Sequence, residues 1–241
     1  MVATPIGNLG DVTPRAAEVL GSVGAIASED TRRTRKLLSH LGIRTPTIAY
    51  HEHNEERVGR DVLGRLESGE DVALVSDAGT PLVSDPGYRL VASCVRAGYA
   101  VVPLPGACAP VVALSAGGLP PVPFYFGGFL PRRPQARRRK LEELAALNCT
   151  LVFFESPHRL AAALRDMLAV LGDREAVVAR EMTKLHEEFA RGPLKRVVEE
   201  FGAREIRGEI VVLVAGADGM RKHPDRPGEK VQRGPVVPGS Y

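Results

Sequence analysis

The sequence predicts an α/β protein of two domains. Three observations carry the prediction. Short runs rich in Val and Ile alternate with longer helical patterns along the whole chain. The helical patterns open on cap-proline pairs and close on glycines. One Gly- and Pro-dense stretch, residues 115–134, breaks the alternation near the middle of the 241 residues. Alternation of this kind is the signature of mostly parallel sheets covered by helices, and a chain of this length is long enough for two modest cores.

Taken in order, Val2-Ala3 runs straight into the loop TPIGNLGD. That makes strand one very short, or means that the numbering begins inside it. Thr13-Pro14 opens a helix, with a capping hydroxyl followed by proline at the first helical position. Strands are expected at 25–28, 72–75, 100–103, 151–154, 176–179 and 210–214, all short and apolar, as strands covered on both faces should be. Asp85-Pro86 and Ser156-Pro157 read as two further helix starts, and Gly42, Gly69, Gly98 and Gly172 as the glycines that end helices. The break at SAGGLPPVPFYFGGFLPRRP cannot be one helix or strand, and 124–126 is the candidate first strand of the second half. The expected organisation is an N-terminal domain over 1–116, a junction over 117–133, a C-terminal domain over 124–216 and a disordered tail over 217–241.

Composition narrows the function. The net charge is +3, but residues 217–241 hold five cations against three acids, so the rest of the chain carries +1. Overall charge is therefore weak evidence for a nucleic-acid partner, and clustering has to decide. No apolar run approaches the roughly 20 residues of a membrane span, and no secretory signal is visible. Three well-separated cysteines, Cys94, Cys108 and Cys149, suit a reducing, cytoplasmic setting better than a disulfide scaffold or a zinc site.

In open α/β sheets ligands sit beyond the carboxyl ends of strands. Four unusual loops follow strand candidates there: residues 4–9, 76–87, 103–109 and 155–159. Their glycines allow close backbone approach and their prolines fix shape. Asp85 reads as a helix cap, while Asp77 is open between a turn residue and a ligand carboxylate that meets ribose hydroxyls or an amino group. Neither the dinucleotide G-x-G-x-x-G nor the phosphate-loop G-x-x-x-x-G-K-[ST] is present.

The stretches TPIGNLGD, SEDTRRT, HEHNEE, VSDAGTPLVSDPG, VVPLPGACA, GGFLPR, FFESPHR, ARE followed by TK, and GEIVVLV span Thr4 to Val214. In this order they resemble the tetrapyrrole-methylase-like, class III family of S-adenosylmethionine-dependent methyltransferases. TPIGNL stands where macrocycle-methylating relatives carry G-x-G-x-G. The chain is thus most similar to the branch that methylates the 2′-hydroxyl of a cytidine in bacterial 16S ribosomal RNA. The resemblance implies two α/β domains with a cofactor cleft between them, the tetrapyrrole methylase fold, and a homodimer. It implies S-adenosylmethionine held by Pro5, by Asp77, Gly79, Thr80 and Pro81, by Cys108 and Ala109, and from the second domain by Glu155, Met182 and Ile210. Met182 stands where the RNA branch usually has leucine, and Ala109-Pro110 replaces a more usual pair of small residues.

Methyl transfer from a sulfonium needs alignment and exclusion of water more than it needs a metal. A ribose hydroxyl is a poor nucleophile, so a proton acceptor helps. Asp30, Glu29, His51, His53 and Glu155 are the candidates. His51-x-His53 on a strand would place both rings on one face, but no third ligand is obvious, and Asn54 before Glu55-Glu56 reads as a helix start. No metal site is assigned, and hydrogen bonding to substrate by His53 and Asn54 is the preferred reading. Two basic clusters are the candidate contacts to 16S rRNA in the small ribosomal subunit: Arg32, Arg33, Arg35 with Lys36, and Arg132, Arg133, Arg137, Arg138, Arg139 with Lys140. Two other readings of the chain compete, a macrocycle methylase of the same fold and a non-catalytic RNA-binding assembly factor.

Overall fold

The computed structural model describes residues 1–219, so the expected tail lies, from residue 220 on, outside the described residues. The chain forms two compact units that divide at Cys108 and Ala109. In the first, α1 (Pro14–Ser22), β1 (Ala25–Ser28), α2 (Thr31–His40), β2 (Thr47–Ala49), α3 (Glu55–Glu67), β3 (Val72–Val75) and α4 (Tyr88–Arg96) follow in order. The strands make a parallel sheet in the order β2-β1-β3. Every residue of β1 is buried. Ile26 packs with Leu20, Leu37 and Leu38 on one face, and Ala27 with Tyr50, Val58 and Leu90 on the other. That two-sided burial is what a run of small and branched apolar residues encodes.

Among the described residues the sheet continues beyond β3 only as single bridges. Val2 is fully buried, its N–H bonds to the Leu74 carbonyl at 3.0 Å, and it pairs in parallel with Leu104. The strand expected at 100–103 does not form. Pro103 and Pro105 flank Leu104, and residues without an N–H cannot extend a ladder on both sides of it.

The second unit runs α5 (Ala109–Gly117), β4 (Phe124–Phe129), α6 (Pro134–Leu144), β5 (Thr150–Glu155), α7 (Pro157–Leu171), β6 (Glu175–Arg180), β7 (Glu188–Pro193), α8 (Leu194–Gly202) and β8 (Ile210–Val214). α5 packs on β8 and β6, which is why the division falls ahead of the Gly- and Pro-rich stretch.

The sheet order is β4-β5-β8-β6-β7. Only β4 and β5 pair in parallel; β8 is antiparallel to β5 and β6, and β6 to β7. The expectation of mostly parallel pairing is thus corrected for this sheet. The physical reason lies in the crossovers. β5-α7-β6 and β7-α8-β8 each join parallel strands while skipping one position, and the skipped position is filled by a strand of the other pair running the opposite way. Alternation in sequence registers each crossover but not their interleaving.

Helix ends follow the sequence closely. Thr13 Oγ1 accepts from Ala16 N–H at 3.1 Å, and Pro14 and Pro157 open α1 and α7. Gly42, Gly69, Gly98 and Gly172 follow α2, α3, α4 and α7 with φ between 71° and 84°. Asp85 is a correction: α4 starts at Tyr88 behind Gly87, whose φ is 130°, and Asp85 caps nothing.

Candidate functional site

In the first unit three loops close on Gly79. Thr4 and Gly79 form an antiparallel bridge that ties loop 4–9 to loop 76–87. The Thr80 hydroxyl donates to the Ala107 carbonyl at 3.0 Å, which adds the loop ending at Cys108. Gly79 has φ 83°, and a Cβ there would stand 3.2 Å from Ile6 Cγ2 and 3.4 Å from the Ala107 oxygen. The structure thus gathers Pro5, Asp77, Gly79, Thr80, Pro81 and Cys108, residues spread over a hundred positions. A pocket of about 180 Å3 opens beside them, lined by Thr4, Pro5, Arg33, Lys36, Ser76 and Asp77 among others.

Asp77 joins the ends of β1 and β3. Its Oδ1 accepts the Asp30 N–H at 2.8 Å, and Arg33 Nε lies 3.6 Å from its Oδ2. Asp30 caps α2 through Arg32 N–H at 2.9 Å and pairs with the Arg32 guanidinium at 2.8 Å. The hydrogen bonds from Arg32 hold its carboxyl well below the usual carboxylate range, so Asp30 makes a poor proton acceptor. Glu29 and Asp85 behave oppositely. Burial first, then the charge of Asp77, raises Glu29; burial, then Glu29, pushes Asp85 up to about 6.

The histidine pair is not on a strand. β2 stops at Ala49 and residues 52–54 form a turn. Asn54 heads α3 but spends its side chain elsewhere, accepting from His51 N–H at 2.9 Å and donating to the Ala49 carbonyl at 2.9 Å. His53 is exposed, its ring edge-on to His51 with centroids 5.9 Å apart.

In the second unit the register of the sheet assembles the other residues. Glu155 at the end of β5 stands opposite Ile210, the first residue of β8, and Ile210 stands opposite Arg180, the last of β6. Met182 follows two residues later, 7% exposed, between Glu181 and Thr183, whose φ values are 51° and 66°. The Glu181 carboxylate accepts from Lys184 Nζ at 2.7 Å and from Glu209 N–H at 3.0 Å, which pins this loop to the entry of β8. The non-glycine residues with positive φ among the described residues are Leu82, Ser84, Glu181 and Thr183. All four lie in the two loops that hold predicted cofactor residues. Such strain persists where surrounding structure enforces it, and it gathers at binding sites.

Glu155 is 3% exposed, and burial raises its carboxyl. Its Oε1 accepts Ser156 N–H at 2.8 Å; its Oε2 is buried without a partner. Arg159, not singled out in the sequence, lies one helical turn on and reaches Glu155 Oε1 at 3.5 Å. The signal that would have found it is the i, i+4 spacing across the start of α7.

The second basic cluster divides. Arg137 is only 3% exposed and pairs with buried Asp166, its Nη2 at 2.5 Å and Nε at 2.7 Å; Arg138 Nε meets the other oxygen at 2.6 Å. Arg137 is therefore a correction: it locks α6 to α7 and cannot reach a phosphate. Lys140 is drawn to Glu143 and the Tyr125 ring. Arg132, Arg133 and Arg139 are exposed, as are Arg32, Arg33 and Arg35 on α2.

A family model described as Tetrapyrrole (Corrin/Porphyrin) Methylases matches residues 1–198. The chain is 52% identical over 227 residues to the Ribosomal RNA small subunit methyltransferase I of Micromonospora olivasterospora, covering 94% of this chain and 72% of that one. It is 53% identical over 219 residues to the protein of the same name in Vibrio cholerae, covering 90% and 76%. Among solved structures it is similar to the cobalamin biosynthetic enzyme cobalt precorrin-4 methyltransferase, with TM-score 0.67, 17% identity and 89% and 92% coverage. It is likewise similar to diphthine synthase, with TM-score 0.68, 14% identity and 89% and 88% coverage. At those identities the structures share the fold alone.

Proposed function

The chain belongs to the tetrapyrrole (corrin/porphyrin) methylase family, and from that premise we propose that it transfers a methyl group from S-adenosylmethionine to the 2′-hydroxyl of a cytidine in 16S rRNA. One observation carries the reading: about half of all residues are identical, across nine-tenths of the chain, to proteins named for methylation of small-subunit ribosomal RNA. A macrocycle substrate draws support from the family's description and from a solved structure at 17% identity, and at that level the fold is shared while the substrate is not implied.

The cofactor brings an activated methyl group on a positively charged sulfur. The residues present fit such a ligand. Around Gly79 the first unit offers backbone packed too closely to admit a Cβ without displacement, and the second offers a buried, unserved carboxylate oxygen at Glu155. Pro5, Asp77, Gly79, Thr80, Pro81 and Cys108 are the holding residues of the first unit; Ala109, Glu155, Met182 and Ile210 are those of the second. Asp77, already fixed by the Asp30 N–H, presents an oriented acceptor without further ordering cost. Arg132, Arg133 and Arg139, with Arg32, Arg33 and Arg35, are the proposed phosphate contacts. We place the protein in the cytoplasm as a homodimer, a state that light scattering checks.

The test is transfer of tritiated methyl groups to small subunits lacking the modification, followed by nuclease mapping. Label on one cytidine ribose is the expected result. Label on a base, or only on a small-molecule acceptor, overturns it.

A further inference from the structure

Two buried polar atoms of opposite character are left unserved side by side at the end of β5. Glu155 Oε2 accepts nothing, and Arg159 Nε donates to nothing, although both are shielded from solvent. The other ends of both side chains are committed. Glu155 Oε1 holds Ser156 N–H at 2.8 Å, and Arg159 Nη2 holds the Leu130 carbonyl at 2.6 Å with the Pro131 carbonyl at 3.3 Å. Arg159 Nε and Glu155 Oε1 are 3.5 Å apart, too far for a well-formed hydrogen bond. The two side chains therefore stay in place without satisfying each other, and the Glu155 side chain is only 1% exposed.

An orphaned buried acceptor costs about 1–3 kcal/mol, more when it is charged. Such an atom calls for a physical explanation, and completion by a ligand is one. The missing group must donate to a carboxylate and accept from a guanidinium. A hydroxyl does both with one oxygen, whereas an ammonium can only donate and an ionised phosphate oxygen only accept. Beside the pair stands Ile210, which faces Glu155 directly across the sheet. An apolar neighbour of this kind suits a sugar edge and leaves the hydroxyl as the polar group to be read.

We propose that Glu155 and Arg159 form a hydroxyl-binding pair for a ribose, with the ligand O–H donating to Glu155 Oε2 and its oxygen accepting from Arg159 Nε–H. Two riboses carry this chemistry, that of the cofactor and that of the target nucleotide. The inference rests on the proposed function for the second ribose only. Arg159 does more than complete the pair. By gripping the carbonyls of Leu130 and Pro131 it fixes the segment that leads into Arg132 and Arg133, so ligand recognition and the placement of these two cations share one side chain.

The test uses the full chain and Glu155→Gln, which keeps size and the Ser156 bond but presents an amide where the ligand hydroxyl must donate. S-adenosylhomocysteine and its 2′-deoxy and 3′-deoxy forms are titrated by calorimetry, and methyl transfer to unmodified small subunits is timed. If the pair holds the cofactor, the variant binds S-adenosylhomocysteine at least tenfold more weakly. One deoxy form then binds the native protein as weakly as S-adenosylhomocysteine binds the variant. If it holds the target nucleotide, cofactor affinity is unchanged and kcat/KM for the subunit falls at least tenfold. Arg159→Lys, which keeps the charge but not the fork, must move the same parameter. Unchanged affinity and unchanged kcat/KM in a Glu155→Gln protein that melts normally overturn the proposal. Failure of the functional reading would look different, as no transfer by the native protein at all.

Discussion

Thr4 and Gly79 exchange both of their backbone hydrogen bonds, N–H to carbonyl at 2.9 Å one way and 3.0 Å the other. A loop that begins four residues into the chain is thereby fixed to the loop that follows β3. Gly79→Ala strikes this joint. The substitution combines a φ of 83° with a Cβ pressed on Ile6 and the Ala107 carbonyl, and should cost about 1–2 kcal/mol in backbone strain alone. A melting temperature lowered by several degrees, with weaker binding of S-adenosylhomocysteine, is the expected outcome of calorimetry on the variant.

Asp77 serves structure and ligand through different atoms. Asp77→Ala removes the acceptor for the Asp30 N–H and should cost about 1 kcal/mol of stability besides any loss of cofactor affinity. Asp77→Asn keeps an acceptor oxygen and removes the charge. It should melt like the native protein while still binding S-adenosylhomocysteine more weakly. A variant that both melts and binds normally would remove Asp77 from the site.

Arginines in one run should separate by assay. Arg137→Ala strands the buried Asp166 with only Arg138 as partner, and a loss of about 3–5 kcal/mol is expected from urea unfolding. Arg132→Ala and Arg133→Ala touch no buried partner. They should leave stability within about 0.5 kcal/mol and flatten the salt dependence of RNA binding by about one unit per phosphate contact removed. Equal destabilisation by all three would contradict the assignment.

Asp85 gives a pH test. Burial and the charges of Glu29 and Asp77 push it up to about 6 from an ordinary 3.8. The folded state binds this proton more tightly than the unfolded chain does. Its contribution to stability is therefore greatest below the unfolded value and is lost as pH rises from 3.8 through about 6. Asp85→Asn should melt progressively higher than the native protein across that interval, and the difference should vanish at lower pH. Thermal melts from pH 3 to 8 read it; a difference independent of pH would be the contrary result.

Local features were readable in sequence and long-range ones were not. The helix-ending glycines and the apolar strands announce themselves because each depends on a few adjacent residues. β7, EFARGP, escaped notice because a half-exposed edge strand tolerates charge and glycine. Asp85-Pro86 imitates a helix start, but the positive φ of Gly87 delays the turn. The fate of Arg137 depended on Asp166, 29 residues away, which no local pattern reveals. The cofactor residues came from resemblance; their assembly around Gly79 and along the Glu155–Ile210–Arg180 register came from the structure.

The interleaved crossovers of the second unit bear on how the chain is made. β8 lies at the centre of its sheet, between β5 and β6, yet among the described residues it is the last strand in the order of synthesis. A nascent chain emerges N-terminus first. Until residues 210–214 leave the exit tunnel, β5 and β6 have no common neighbour and present two apolar edges with unpaired N–H and carbonyl groups. The first unit can close its parallel sheet while translation continues, because its three strands are complete by Val75. The second unit completes its sheet only after β8 enters between two strands already made, so the joining of its two halves waits on residues 210–214.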